Sequence, residues 1–170
     1  MECNNNCATC SSSCQKHCPN CEGNALGVET ATVINLSKRT DINIDKQYYI
    51  CLNPRCKTIY FSEDFETIIE KDEVKVPVWF KSNFMEYLVC YCRNIYLKDI
   101  IRAVFSIENP TKEKVIAFLK KEDIETNCLI NNPVSRDCDL LFKNAIEYAL
   151  ELKVKEDKNN VKWYRNSSKR

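Results

Sequence analysis

Glycine is nearly absent from this sequence. Gly23 and Gly27 are the two copies in 170 residues. A P-loop or dinucleotide-binding fingerprint needs several glycines in one loop, so both classes are excluded. Histidine is scarcer still, with His17 alone. The common Ser-His and Cys-His catalytic arrangements are therefore not expected. Carboxylate runs such as "FSEDFE" (61–66) read as solvated turns, and no enzyme is expected. No apolar window reaches the length of about 18 residues that argues for a membrane span. The opening "MECNNNCATC" lacks the basic segment and apolar run of a secretory signal, so a cytoplasmic location is expected. One-sided charge is missing too. The net charge is +1, without the basic bias of a typical nucleic-acid binder, and no nucleic-acid partner is expected.

What is abundant is cysteine, with twelve copies. In a reducing compartment dense cysteines bind metal or do redox work more often than they form stable disulfides. They fall in groups: 3, 7, 10 and 14; 18 and 21; 51 and 56; 90 and 92; 128 and 138. Cysteines serving as small core residues would be scattered instead.

The chain reads as α+β: a small zinc-ribbon-like β subdomain followed by a small helical [2Fe-2S]-binding subdomain. Residues 1–14 form a Cys-rich tail, 15–80 the β subdomain, 81–152 the helical subdomain and 153–170 a charged tail. Strands are expected in "ETATVINL" (29–36), "QYYICL" (47–52), "KTIYFS" (57–62) and "VKVPVWF" (74–80), where β-branched and aromatic residues cluster. The period then changes. Helices are expected over 96–105, with Ile100, Ile101, Val104 and Phe105 on one face, and over 109–122. A third is expected over 137–152, with Leu140, Leu141, Ala145, Tyr148 and Leu152 inward. Asp137 or Asp139 is a candidate cap for that third helix. The charged end reads as a solvated helix end and tail, with Trp163 and Tyr164 as candidate docking residues.

Two metal constellations follow from spacing. Cys18-x-x-Cys21 and Cys51-x4-Cys56 each place two sulfurs on one ion from a tight turn, and together they supply the four tetrahedral ligands of a structural Zn²⁺ site. Four thiolates leave no open position for catalysis. His17 beside them is a possible substitute ligand, or simply a polar residue at the mouth of the turn. Cys90-x-Cys92, with Cys128 and Cys138, is a four-thiolate set suited to a [2Fe-2S] cluster. Residues i and i+2 of an extended segment face the same way, and Cys138 begins a helix whose N-terminal partial positive charge favours anions. A second zinc is the rival occupant.

Residues 17–150 resemble the N-terminal, metal-binding portion of the CopZ-type iron-sulfur copper chaperone. The residues that carry the resemblance are "CPNC" with Gly23 and Gly27, "QYYICLNPRCKTIYFSEDFET", "VKVPV", "VCYC" and "CLINNPVSRDC". The last two are also similar to the cysteines of bacterioferritin-associated ferredoxin. The resemblance implies zinc on Cys18, Cys21, Cys51 and Cys56, and a [2Fe-2S] cluster on Cys90, Cys92, Cys128 and Cys138. It also implies a link to copper. No Met-x-Cys-x-x-Cys loop occurs in these residues, so copper delivery by that loop is not expected of them.

Cys3, Cys7, Cys10 and Cys14 would share one stripe of a helix. They read either as an added tail for Cu(I), Zn²⁺ or a similar soft ion, or as incidental cysteines of a polar tail. Their Cys-x3-Cys-x2-Cys order also matches the radical-SAM motif, but the chain is too short for the large barrel that chemistry needs. The expected function is a metallochaperone-like protein whose cluster passes single electrons, with copper or another soft metal ion and a redox or metal-receiving protein as partners. A ferredoxin-like redox partner without a copper role and a zinc-ribbon interaction module are the alternatives.

Overall fold

The computed structural model describes residues 16–167, with side chains described to residue 156. The four N-terminal cysteines and the Trp163 and Tyr164 side chains lie outside that range.

The first part is a four-stranded antiparallel meander in the order β1-β2-β3-β4. Its strands are β1 (Ala25–Val28), β2 (Tyr48–Cys51), β3 (Thr58–Ser62) and β4 (Ile68–Glu70). A helix, α1 (Thr30–Leu36), follows β1. β3 lies inside the sheet and all five of its residues are buried. Side chains alternate between sheet faces along a strand, and this alternation sorts β2 and β3. Tyr48, Ile50 and Tyr60 join the core with Val28 and Val33. Tyr49, Cys51 and Phe61 gather with Cys18 on the other side.

Two expected strands turn out differently. "ETATVINL" is mostly helix, and the strand lies just upstream at Ala25–Val28. There Gly27 pairs with Tyr49, and Ala25 with Cys51. With the edge of β2 already taken, the β-branched run packs as α1. It buries Thr32, Val33 and Leu36 and leaves Ile34 43% exposed, which is a helical rather than an alternating pattern. "VKVPVWF" makes only an isolated bridge between Ser37 and Val74. Pro77 lacks the N–H a strand interior needs, and the segment turns into a short 3-10 helix at Trp79–Lys81.

The second part opens with a two-stranded hairpin, β5 (Leu88–Cys90) and β6 (Ile95–Tyr96). It continues with α2 (Leu97–Ser106), α3 (Lys112–Phe118), a one-turn α4 (Cys128–Asn131) and α5 (Asp139–Ser167). Ile100, Ala103 and Val104 of α2 meet Phe142, Ala145 and Ala149 of α5 in a core shared with Val89, Cys90 and Cys138. The inward face of α5 is thus set by Phe142, Ala145, Ile146 and Ala149. Leu140 is 68% exposed, and Tyr148 is exposed as well. Phe105 of α2 also points largely outward.

The two parts are joined by more than the linker. The loop 127–137 lies against α1 and β3. Tyr60 donates its phenol hydrogen to the Pro133 carbonyl at 3.0 Å in a buried setting. Thr32 donates to the Leu129 carbonyl, its hydroxyl lies 2.7 Å from that of Ser135, and the Glu29 N–H donates to Ser135 Oγ. On the linker side, Tyr91 donates to the Pro77 carbonyl at 2.8 Å and accepts from the Trp79 N–H at 3.2 Å. Burial pushes the phenol pKa of both Tyr60 and Tyr91 well up, so both remain hydrogen-bond donors at ordinary pH.

An unpaired buried polar group costs about 1–3 kcal/mol. Tyr60→Phe, which leaves the Pro133 carbonyl without its donor, is expected to lower stability by about that amount, read as a reduced urea midpoint at unchanged zinc content.

Candidate metal centres

Two tight turns build the first centre. Residues 17–24 fold back on themselves, with the Cys18 N–H donating to the Gly23 carbonyl and the Glu22 N–H to the Cys18 carbonyl. Glu22 takes a left-handed conformation, φ 56°. Gly23 follows it at a crowded point, where a Cβ would stand 3.2 Å from Cys21 Sγ and from Asn53 Cβ. The second turn runs from the end of β2. Asn53 caps it by accepting the Arg55 N–H on its side chain, and the Cys56 N–H donates to the Asn53 carbonyl. The Leu52 N–H donates to the Asn24 carbonyl at 2.9 Å and ties the turns together.

The result is four thiols around one point. Cys18 Sγ is 3.9 Å from Cys56 Sγ, Cys21 Sγ is 3.7 Å from Cys51 Sγ, and all four sulfurs lie within 4.8 Å of one another. Cys18 and Cys51 are buried; Cys21 and Cys56 are half-buried. Burial pushes the Cys51 thiol up to about 12. Burial acts upward on Cys21 too, but the Gly23 N–H, the Asn53 side chain and the neighbouring thiols outweigh it and hold Cys21 at about 7. His17 stands apart from the four, its Nδ1 3.0 Å from the Glu22 carbonyl on the exposed side.

The second set is arranged differently. Cys90 ends β5, Cys92 follows in the turn, Cys128 begins α4 and Cys138 immediately precedes α5, where its carbonyl accepts the Phe142 N–H. Cys92 Sγ is 3.9 Å from Cys128 Sγ. A hydrogen bond from the Cys138 thiol holds Cys90 down at about 6, with the Arg93 backbone N–H and guanidinium assisting against burial. The same bond pushes Cys138 up. Burial pushes the Cys128 thiol up as well. Cys92 and Cys128 thus form one close sulfur pair, while Cys90 and Cys138 shift each other's thiols in opposite directions. Among the described residues, the first quartet is the set of His, Cys, Asp or Glu ligand atoms gathered around one point. Cys90 and Cys138 are buried, and Cys92 and Cys128 are half-buried.

Sequence reasoning missed the polar residues around these sulfurs. Lys81 is 8% exposed. Its ammonium donates to the Asn53 carbonyl at 2.5 Å and the Cys56 carbonyl at 3.2 Å, and its charge favours the Cys51 thiolate. Lys112 pairs with Asp139, lies 5.6 Å from the Phe142 ring centroid, and has Cys138 and Cys90 in its field. Asn131 donates its amide to Cys92 Sγ at 3.5 Å. A single lysine or asparagine in a polar loop carries no periodic or spacing signal, so only the fold locates these three.

Residues 15–75 match the family model of the CopZ-type zinc binding domain. All four cysteines of the first quartet lie inside that match, and together the two findings support binding of zinc or a similar metal ion. The chain is also similar to the copper chaperone CopZ of Archaeoglobus fulgidus, with 28% identity over 71% of this chain and 57% of that protein. It therefore spans little more than half the length of that relative. Among solved structures it is similar to the X-ray structure of the Archaeoglobus fulgidus CopZ N-terminal domain, with a TM-score of 0.59 and 26% identity. That likeness covers 76% of this chain and 96% of the other. The chain thus shares the mixed fold of antiparallel sheet and helices of that domain, and its first cysteine quartet is arranged to hold a metal ion. No described helix is long and apolar enough to cross a membrane.

The Cys51 environment predicts opposite pH behaviour with and without metal. In the metal-free protein the Cys51 pKa rises from 9.0 to about 12 on folding. The unfolded chain then releases this proton first, so stability present below pH 9 is lost as pH rises toward about 12. With metal bound the thiolate is already formed, and acid rather than base removes the stabilisation. Urea midpoints of chelated and loaded protein across this range are expected to diverge as pH increases.

Proposed function

We propose that this chain is a metal-handling electron carrier. In this reading Cys18, Cys21, Cys51 and Cys56 hold a structural zinc, and Cys90, Cys92, Cys128 and Cys138 hold a [2Fe-2S] cluster. The observation that carries the reading is the second cysteine set. It offers four thiols, with no carboxylate or imidazole among them, of which Cys92 and Cys128 form a close pair, while among the described residues the first quartet is the group gathered around one point. An all-thiolate set of this kind suits a two-iron group, while the first quartet has the closed tetrahedral donor set of structural zinc.

When bound, a [2Fe-2S] cluster supplies one-electron chemistry. The chain's own residues do the rest. Cys90 and Cys138 anchor the inner side within the α2–α5 core. The charges of Arg93 and Lys112 act on the inner sulfurs and offset the negative charge of four thiolates. Cys92 and Cys128 form the half-buried outer side, next to Leu129, which is 59% exposed and offers an apolar contact to a redox or metal-receiving protein. The similarity to a copper chaperone makes copper the proposed metal. Cu(II) taking up one electron becomes Cu(I), the form that soft thiolates select.

A ferredoxin-like role without copper is the second reading, resting on the second cysteine set alone. Anaerobically purified protein is expected to hold about one zinc, about two irons and matching sulfide per chain, with an EPR signal on reduction. Zinc without iron would sink the cluster and leave an interaction module. Cu(II) added to the reduced protein is expected to bleach the reduced-state signal and remain bound as Cu(I). Reoxidation without retained copper would select the copper-free role.

A further inference from the structure

The outer sulfur Cys92 is reached by a hydrogen-bond relay that starts in the other part of the molecule. Asn35 lies on α1, three residues after Thr32, so the two share a helix face and both meet α4. Asn35 Nδ2 donates to the Ile130 carbonyl at 3.4 Å and to Asn131 Oδ1 at 3.0 Å. Asn131, the last residue of α4, directs its own Nδ2 at Cys92 Sγ, 3.5 Å away.

The amide orientations are fixed in sequence. A carboxamide has one accepting and one donating end. The Ile130 carbonyl can only accept, which sets the donor end of Asn35. That donor in turn requires the oxygen of Asn131, and the Asn131 N–H groups are left to face the sulfur. Reversing Asn131 would set two donors against each other and an oxygen against a thiolate. The contact between the two parts is already made by Thr32, Ser135 and Tyr60, so the relay adds direction rather than simple adhesion.

We infer that Asn131, aligned by Asn35, is a positioning residue for the second cysteine set: it holds an N–H on the Cys92 thiolate and raises the reduction potential of the group bound there. This rests on the [2Fe-2S] reading above. A hydrogen bond to a ligating sulfur draws electron density from it and favours the more negatively charged, reduced form, and such bonds are among the features that set cluster potentials. Asn35 touches no sulfur and acts only through Asn131. The zinc-holding part of the chain thereby sets a property of the other site.

The test compares Asn131→Leu, Asn35→Leu and the double variant in the full chain. Iron, sulfide and zinc contents are measured first, then the potential by anaerobic titration. Both single variants are expected to keep their metal content and shift the potential negative, Asn131→Leu by several-fold in the reduction equilibrium and Asn35→Leu by less. The double variant is expected to shift no further than Asn131→Leu, because neighbours acting through one contact are not additive. An unchanged potential in Asn131→Leu, or additive shifts in the double variant, would overturn the relay. If Asn131→Leu fails to retain the cluster, the Asn35→Leu potential decides alone, and no shift there overturns it. Should the wild-type protein hold no iron, the cluster reading fails separately. The relay is then judged on cobalt-substituted protein, where Asn131→Leu must move the thiolate-to-metal absorption band or the relay is wrong.

Discussion

The loop 127–137 carries the constraint on which the arrangement of the second cysteine set depends. Cys128 and Cys138 sit at its two ends, packed on the helical core, and Asn131 between them reaches Cys92. It is also held from the sheet side, by the buried Tyr60 phenol on the Pro133 carbonyl and by Thr32 in the first turn of α1, which meets Ser135 of the loop. Within the loop, Asn132 is buried and accepts the Val134 N–H on its side chain. Ser135 takes a left-handed conformation, φ 53°, which a residue with a side chain keeps only when its surroundings determine it. The hydrogen bonds from Glu29 and Thr32 are those surroundings.

The sheet part in turn leans on its own sulfurs. A meander of strands only three to five residues long buries limited apolar surface, and small domains are marginal for that reason. Bound zinc contributes on the order of 10 kcal/mol to the apparent folding free energy of small metal domains, comparable to the whole stability of an ordinary domain. Lys81 belongs to the same arrangement. A buried ammonium is costly unless it is hydrogen-bonded and compensated, and here two turn carbonyls and the thiol cluster supply that compensation.

Much of this was legible where side-chain chemistry is local. The paired cysteines mark the turns because thiols at such spacing have few other uses, and the turns bring Cys18, Cys21, Cys51 and Cys56 within 4.8 Å of one another. α2 begins and ends within a residue of its periodic pattern. What escaped reading was decided by distant partners. The run at 29–36 has strand-forming residues, yet the segment just before it already occupies the sheet edge, so it becomes a helix. Leu140 fits a helical apolar stripe, but the packing of α5 on α2 turns the stripe toward Phe142 and Ala149 instead. The β5–β6 hairpin is too short for alternation to register. Asn35 and Asn131 are 96 residues apart, and no local pattern links them.

The attachment of the two parts at two places has a mechanical consequence. A body tethered by a single strand of chain can swivel about it. Here Tyr91 grips the linker at Pro77 and Trp79, while the 127–137 loop returns to α1 and β3. With both grips closed, the swivel is lost, and a protein approaching Leu129 and Cys128 meets a face whose aim is dictated by the sheet behind it. The sheet and α1 thus govern which way the second set of sulfurs is pointed, much as a mount governs a sensor.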